Sequence, residues 1–218
     1  LIDDALTWTP RGIAEAAKEF LAARRADILS VIERPLGISS NLDMTRGLPT
    51  SFTVYAALQG TFNAGRATHV LINGEQAALE GAPGTWAYDF KGLAPGINRI
   101  TVEEQDADGN IVASAYMDIL YDDGDVSELQ GDLTIDTVLD AAGGPWLISE
   151  SLNILPGVTL TIEPGTSVFF QPDAGIMVHP GGALKCEGTR YQRIRLSHDP
   201  GSTDVWQGIR IEAPSGQE

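Results

Sequence analysis

The hydrophobic period of this chain switches from helical to strand-like near residue 37. From there onward it is broken at short intervals by Pro-Gly, Asn-Gly and Asp-Gly corners. A period near 3.6 commits a segment to one helix face and a period of two commits it to a strand, so the switch divides the chain before any motif is considered. In residues 10–33 the apolar positions Ile13, Ala17, Phe20, Leu21, Ile28, Val31 and Ile32 recur at helical spacing, with Glu15, Lys18, Arg25 and Asp27 on the other faces. Thr9 supplies an N-cap, Pro10 suits the first helical position, and Pro35 ends the run. Residues 1–36 are therefore assigned to one amphipathic helix of roughly six turns and its flanks. Its apolar stripe is expected to pack on the neighbouring sheet or on an upstream domain, because such a helix alone is marginal.

A polar connector over residues 37–50 leads into the second segment, residues 51–121. Phe52, Val54 and Ala56 alternate with Ser51, Thr53 and Tyr55, and similar runs follow at 69–72, 85–90, 98–103 and 111–120. The turns between them hold Asn73-Gly74, Ala94-Pro95-Gly96 and Asp106-Ala107-Asp108-Gly109-Asn110, residue types that tolerate left-handed geometry. Short strands at this spacing predict an antiparallel β-sandwich. Residues 122–140 read as an acidic junction. Residues 141–218 then show inward apolar pairs at Leu152/Ile154, Leu160/Ile162, Val168/Phe170, Ile176/Val178, Leu184/Cys186, Ile194/Leu196 and Ile209/Ile211. Pro156-Gly157, Pro164-Gly165 and Pro180-Gly181-Gly182 mark the corners. Leu160 to Ile176 is 16 residues and Ile176 to Ile194 is 18, which suggests one coil of an incomplete parallel β-helix per repeat.

Three stretches resemble known families. Leu71-Ile72-Asn73-Gly74, Gly84-Thr85-Trp86, the run from Leu93-Ala94-Pro95-Gly96 to Thr101-Val102, and Asp106-Ala107-Asp108-Gly109-Asn110 together resemble bacterial immunoglobulin-like repeat domains of secreted and surface proteins. Pro156-Gly157-Val158-Thr159-Leu160-Thr161-Ile162-Glu163-Pro164-Gly165-Thr166, with Trp206-Gln207-Gly208-Ile209, is similar to the opening coils of right-handed β-helix domains in large bacterial surface proteins. Phe20 to Leu29 is similar to the last helix of CotH-type kinase domains, although none of that family's nucleotide or metal motifs is found here. These resemblances imply a mainly β chain with an extracellular or cell-surface location. The sequence begins with neither an initiator methionine nor a signal peptide, and both ends read as those of a slice from a longer protein, whose remainder would be its partner.

Charge narrows the function. Thirty acidic residues against 14 basic ones give a net charge of -16, which argues against a nucleic-acid partner. No apolar run approaches the roughly 18–20 residues that span a bilayer. No lysine or arginine lies between Ile100 and Leu184, whereas 15 aspartates and glutamates do. Within that span Asp106, Asp108 and Asn110, and then Asp122, Asp123 and Asp125, offer the oxygen ligands calcium takes, and calcium is the one cofactor suggested. A hairpin turn and a solvated hinge explain the same residues without a metal. Trp86 and Tyr88 share a strand face and, with Trp206, are candidates for stacking a polysaccharide, although a tryptophan after Gly-Thr in such a sandwich more often packs at a core edge.

His179 and His198, 19 residues apart with Asp199 alongside, would meet if they stacked on adjacent coils, while His69 stands alone in a strand. The single cysteine, Cys186, shares a face with Leu184 and reads as an inward small hydrophobe. Bases return at Lys185, Arg190, Arg193, Arg195 and Arg210, a patch that would orient domains or simply be a solvated strand face. The sequence carries no Gly-x-Ser-x-Gly, no His-Glu-x-x-His and no phosphate-binding glycine loop, so the common hydrolase and nucleotide signatures are absent. The expectation is a non-catalytic linking and binding module that touches polysaccharide. The alternatives are a fragment of a β-helix polysaccharide-degrading enzyme and a self-associating surface scaffold.

Overall fold

A computed structural model describes residues 15–22, 24, 34–79 and 84–212 of the chain. Residues 15–22 and 24 are helical, and all of them are exposed, Phe20 and Leu21 included. The expected packing of the stripe on a sheet is thus not found for these residues, because the sheets that follow turn their apolar faces toward each other. The rest of the predicted helix lies outside the described residues.

The remainder is mainly β. The first unit stacks two sheets. One has the order β1 (Ser39–Ser40), β4 (Tyr55–Thr61), β8 (Thr85–Lys91) and β7 (Ala78–Leu79). The other has the order β2 (Met44–Thr45), β3 (Leu48–Ser51), β10 (Ile111–Tyr121), β9 (Gly96–Gln105), β5 (His69–Ile72) and β6 (Glu75–Gln76). The stretch assigned to a connector, 37–50, therefore carries strands of both sheets, too short to show alternation in sequence. Neighbours pair antiparallel except β3 and β10, which run parallel with Leu120 opposite Thr50. Between the sheets lie Ala56, Leu58, Val70, Ile72, Trp86, Ile100, Val102 and Ile119, all essentially buried.

The second unit is a stack of parallel coils resembling a β-helix. It begins inside the stretch assigned to an acidic junction, since β11 (Ser127–Leu133) and β12 (Thr137–Leu139) already form its first coil. The acids there alternate with inward Leu129, Leu133 and Leu139, so charge density concealed a strand whose outer face is solvated. β13 (Trp146–Ile154) and β14 (Thr159–Ile162) form the next coil, followed by β15 (Ser167–Phe170), β16 (Gly175–Val178) and β17 (Ala183–Cys186), then β18 (Arg195–His198) and β19 (Gly208–Ile211).

The coil length differs from the sequence expectation. Leu139 pairs with Ile162 and Ile162 with Cys186, repeats of 23 and 24 residues, not 16 to 18. Leu160 stacks on Leu184, and Ile176 stacks on Ile209, 33 residues later. Each coil contains more than one apolar pair on different sides, so the nearest similar pair in sequence lies on a different side of the stack from the one it follows. Long connections at 187–194 and 199–207 then stretch the last repeat.

Cys186 also departs from expectation. It aligns with buried Ile162, yet it is exposed, because no described strand covers β17. Burial pushes its thiol pKa up nonetheless.

Candidate functional site

The two units meet on a face that neither presents in sequence. In β15, Val168 and Phe170 point into the coil core while Phe169 points out, as strand alternation requires. Phe169 packs with Ile97 and Leu120 of the sandwich, joined by Leu48 and Leu147, a small apolar core that belongs to both units. Beside it the buried Ser167 hydroxyl accepts a hydrogen bond from the Ile97 amide at 2.8 Å and donates to the Ile97 carbonyl at 3.4 Å. Gly96 makes this approach feasible. It has φ +98°, and a Cβ there would stand 2.4 Å from the Ser167 Cβ. At that separation two carbons overlap severely, so only glycine permits the contact.

Charged groups surround this core. Glu103, on the outer face of β9, is 2% exposed at its side chain and is held by Arg190 and by the Tyr191 hydroxyl, which donates to its carboxylate at 2.8 Å. Burial, and then that bond to Glu103, pushes the Tyr191 phenol up. Arg99 makes two 2.7 Å bonds to Asp118 and lies 3.8 Å above the Tyr116 ring, and Arg195 approaches the same Asp118 at 3.5 Å. The paired carboxylate holds the Arg99 guanidinium above its usual range. Arg46 lies between Asp122 at 3.9 Å and Asp199 at 3.8 Å, both long, partly exposed pairs of small energetic weight. Glu104, one residue along, points the opposite way. It is fully buried in the sandwich, accepting from the Asn63 amide at 2.9 Å and from Arg66 at 2.7 Å.

A cleft of about 440 Å³ opens where the units meet. Asn73, Glu75, Tyr88, Phe90 and Lys91 line it from the sandwich, and Thr189, Tyr191, Gln192 and Arg193 from the loop after β17. That loop is closed on itself, with the Thr189 amide donating to the Gln192 carbonyl and the Gln192 amide donating to the Thr189 hydroxyl, each at 3.0 Å. The Gly165 amide ties it to the coil at 3.1 Å. Across the cleft the Tyr88 hydroxyl donates a short bond to Glu75, which pushes its pKa up to about 12.

The residues singled out from sequence are not assembled into one site. Trp86 is 1% exposed in the sandwich core, with its indole N–H donating to the Thr61 carbonyl at 3.3 Å, so it offers no stacking surface. Trp206 stacks on Phe170 at 4.1 Å over the coil core, in a different hydrophobic cluster from Trp86. Of the three aromatic candidates, Tyr88 alone lines the cleft. Asp106 turns its carboxylate inward to accept from the amides of Asp108 at 2.9 Å and Asn110 at 2.8 Å, and these bonds, led by Asn110, lower its pKa. Asp122 and Asp123 accept from the amides of Gly124 and Asp125 in the same local manner. Among the described residues no three His, Cys, Asp or Glu side chains gather closely enough to hold a metal ion.

His179 bonds Glu212 at 2.9 Å, while His198 bonds the Asp199 carbonyl at 3.1 Å. Val178 pairs with Ile211 whereas His198 pairs with Phe170, which puts the two histidines at different positions of the coil. The residues that sequence reasoning missed are Gly96, Glu103, Ser167 and Lys91. The return of basic residues at Arg190 and Arg195 was the one available signal, since both reach carboxylates of the sandwich. Comparison with protein-family models, with curated proteins and with solved structures gives no match. No helix among the described residues is long and apolar enough to cross a membrane.

Proposed function

We propose that this chain is a non-catalytic linking module that holds an immunoglobulin-like sandwich and the first coils of a right-handed β-helix at a fixed angle, within a secreted or surface protein. The sandwich assignment is supported by its strand order. Taking β1, β4, β5, β7, β8, β9 and β10 as A to G in turn, one sheet reads A-B-E-D and the other contains G-F-C, the arrangement of an immunoglobulin fold. The β-helix assignment is supported by the parallel stacking of Leu139, Ile162 and Cys186 in successive coils.

The observation that carries the linking role is the buried joint. Ser167 and the Ile97 backbone, both buried, exchange hydrogen bonds beside an apolar core shared by both units. A flexible linker would leave these groups wet, since domains joined only by a tether move independently by default. A fixed angle transmits position and force from one end of a surface protein to the other.

Residual dipolar couplings measured on the intact chain test this. One alignment tensor for both units supports the linking role, and two unrelated tensors overturn it.

A further inference from the structure

We propose that the cleft between the units binds an acidic saccharide, of the uronate class, through Lys91 and Arg193. Four arginines at this joint, Arg46, Arg99, Arg190 and Arg195, each face a carboxylate. Lys91 and Arg193 line the cleft from opposite units, and neither side chain has a hydrogen-bond or ion-pair partner among the described residues. In a chain of net charge -16, two unpaired cations facing one cavity form a local positive site for a carboxylate.

The rest of the lining selects a sugar over a bare anion. Glu75 stands in the same cleft, with the Tyr88 hydroxyl on its carboxylate. A simple anion is repelled by Glu75, whereas a sugar hydroxyl donates to its remaining lone pairs. Tyr191 and Phe90 supply flat apolar surface for a pyranose face, and Asn73 and Gln192 supply amide groups. At about 440 Å³ the cleft lies in the size range of small-molecule sites, roughly 300–1,000 Å³, and is small for a folded macromolecule. The Thr189–Gln192 hydrogen bonds fix the loop beforehand, which lowers the ordering cost of binding. This binding goes beyond the linking role and can fail while that role stands, because Lys91 and Arg193 take no part in the joint.

Titration of the intact chain with trigalacturonate, followed by calorimetry and by amide chemical shifts, tests the proposal. The expected result is saturable binding that moves the amides of Lys91 and Tyr191. Lys91→Gln and Arg193→Gln, at exposed and unpaired positions, should each weaken it by about tenfold with the melting temperature unchanged. A neutral cellotriose should bind at least about tenfold more weakly than trigalacturonate. Absence of trigalacturonate binding, equal affinity for cellotriose, or full competition by inorganic sulfate would each overturn the proposal. So would binding that survives both substitutions.

Discussion

Replacing Gly96 by alanine probes the joint at its tightest point. The new Cβ would stand 2.4 Å from the Ser167 Cβ, 2.6 Å from its Oγ and 3.4 Å from the Pro145 Cβ, on a residue whose φ is +98°. A non-glycine residue in this region costs on the order of 1–2 kcal/mol of backbone strain, which falls on the sandwich alone. The overlap is relieved only if β9 and β15 move apart by an ångström or more. That movement breaks both hydrogen bonds between Ser167 and Ile97, each worth roughly 0.5–1.5 kcal/mol, and loosens the contact of Phe169 with Ile97 and Leu120. The joint should therefore lose about 3 kcal/mol, or about a hundredfold in the docked population.

Hydrogen exchange reads this at one atom, because the Ile97 amide is buried and donates to Ser167 of the other unit. In Gly96→Ala its protection should fall by about a hundredfold or more, while the amide of Val102, paired within its own sheet to Ile72 and Ala115, changes by no more than about thirtyfold from strain alone. Adding Ser167→Gly removes the atoms that the new methyl strikes and should restore the relative orientation of the units. Unchanged Ile97 protection in the single variant would refute the reasoning, as would equal losses at Ile97 and Val102.

Three further outcomes follow from the same geometry. Tyr88 should be among the last tyrosines to ionise, with an absorbance midpoint near pH 12 that Tyr88→Phe abolishes. Because the folded pKa lies above the ordinary 10.0, the stability contributed by the Tyr88–Glu75 bond is constant below pH 10 and is lost as pH rises toward 12; an alkaline denaturation limb identical in Tyr88→Phe would contradict this. Glu104→Ala should lower the urea midpoint by an amount equivalent to about 2 kcal/mol, since it removes a fully buried carboxylate, leaves the part-buried Asn63 amide without its acceptor and frees Arg66, whereas a loss below about 0.5 kcal/mol would show the pair to be dispensable. Cys186 should react with a thiol reagent at one equivalent without denaturant, more slowly at pH 8 than a free thiol because its pKa is raised, and resistance to labelling would place it in a covered coil.

Some of this was legible before any coordinates. Period-two runs located most of the strands, and Asn73-Gly74 and Asp106 to Asn110 marked two hairpin turns, because strand alternation and left-handed turn geometry are properties of a few adjacent residues. The short strands in 37–50 and the first coil in 127–139 were missed. The former are two to four residues long, and the latter carries acids on its solvated face that read as a charged linker.

The candidate site was less legible. Tyr88 was named, but for a platform with Trp86, and alternation cannot say whether a shared face looks outward or, as here, into a core. Lys91 and Arg193 are 102 residues apart, and nothing local in either marks the other as a neighbour.

The sequence alone determined which residues extend, where the chain turns, and that excess negative charge lies in its middle third. Tertiary structure decided the stacking repeat, because alternation fixes the face of a side chain but not which strand lies beside it. It thereby gave Leu160 its neighbour Leu184 and left Cys186 uncovered. It also decided the joint, where Gly96, Ser167 and Phe169 acquire their roles from a surface contributed by the other unit.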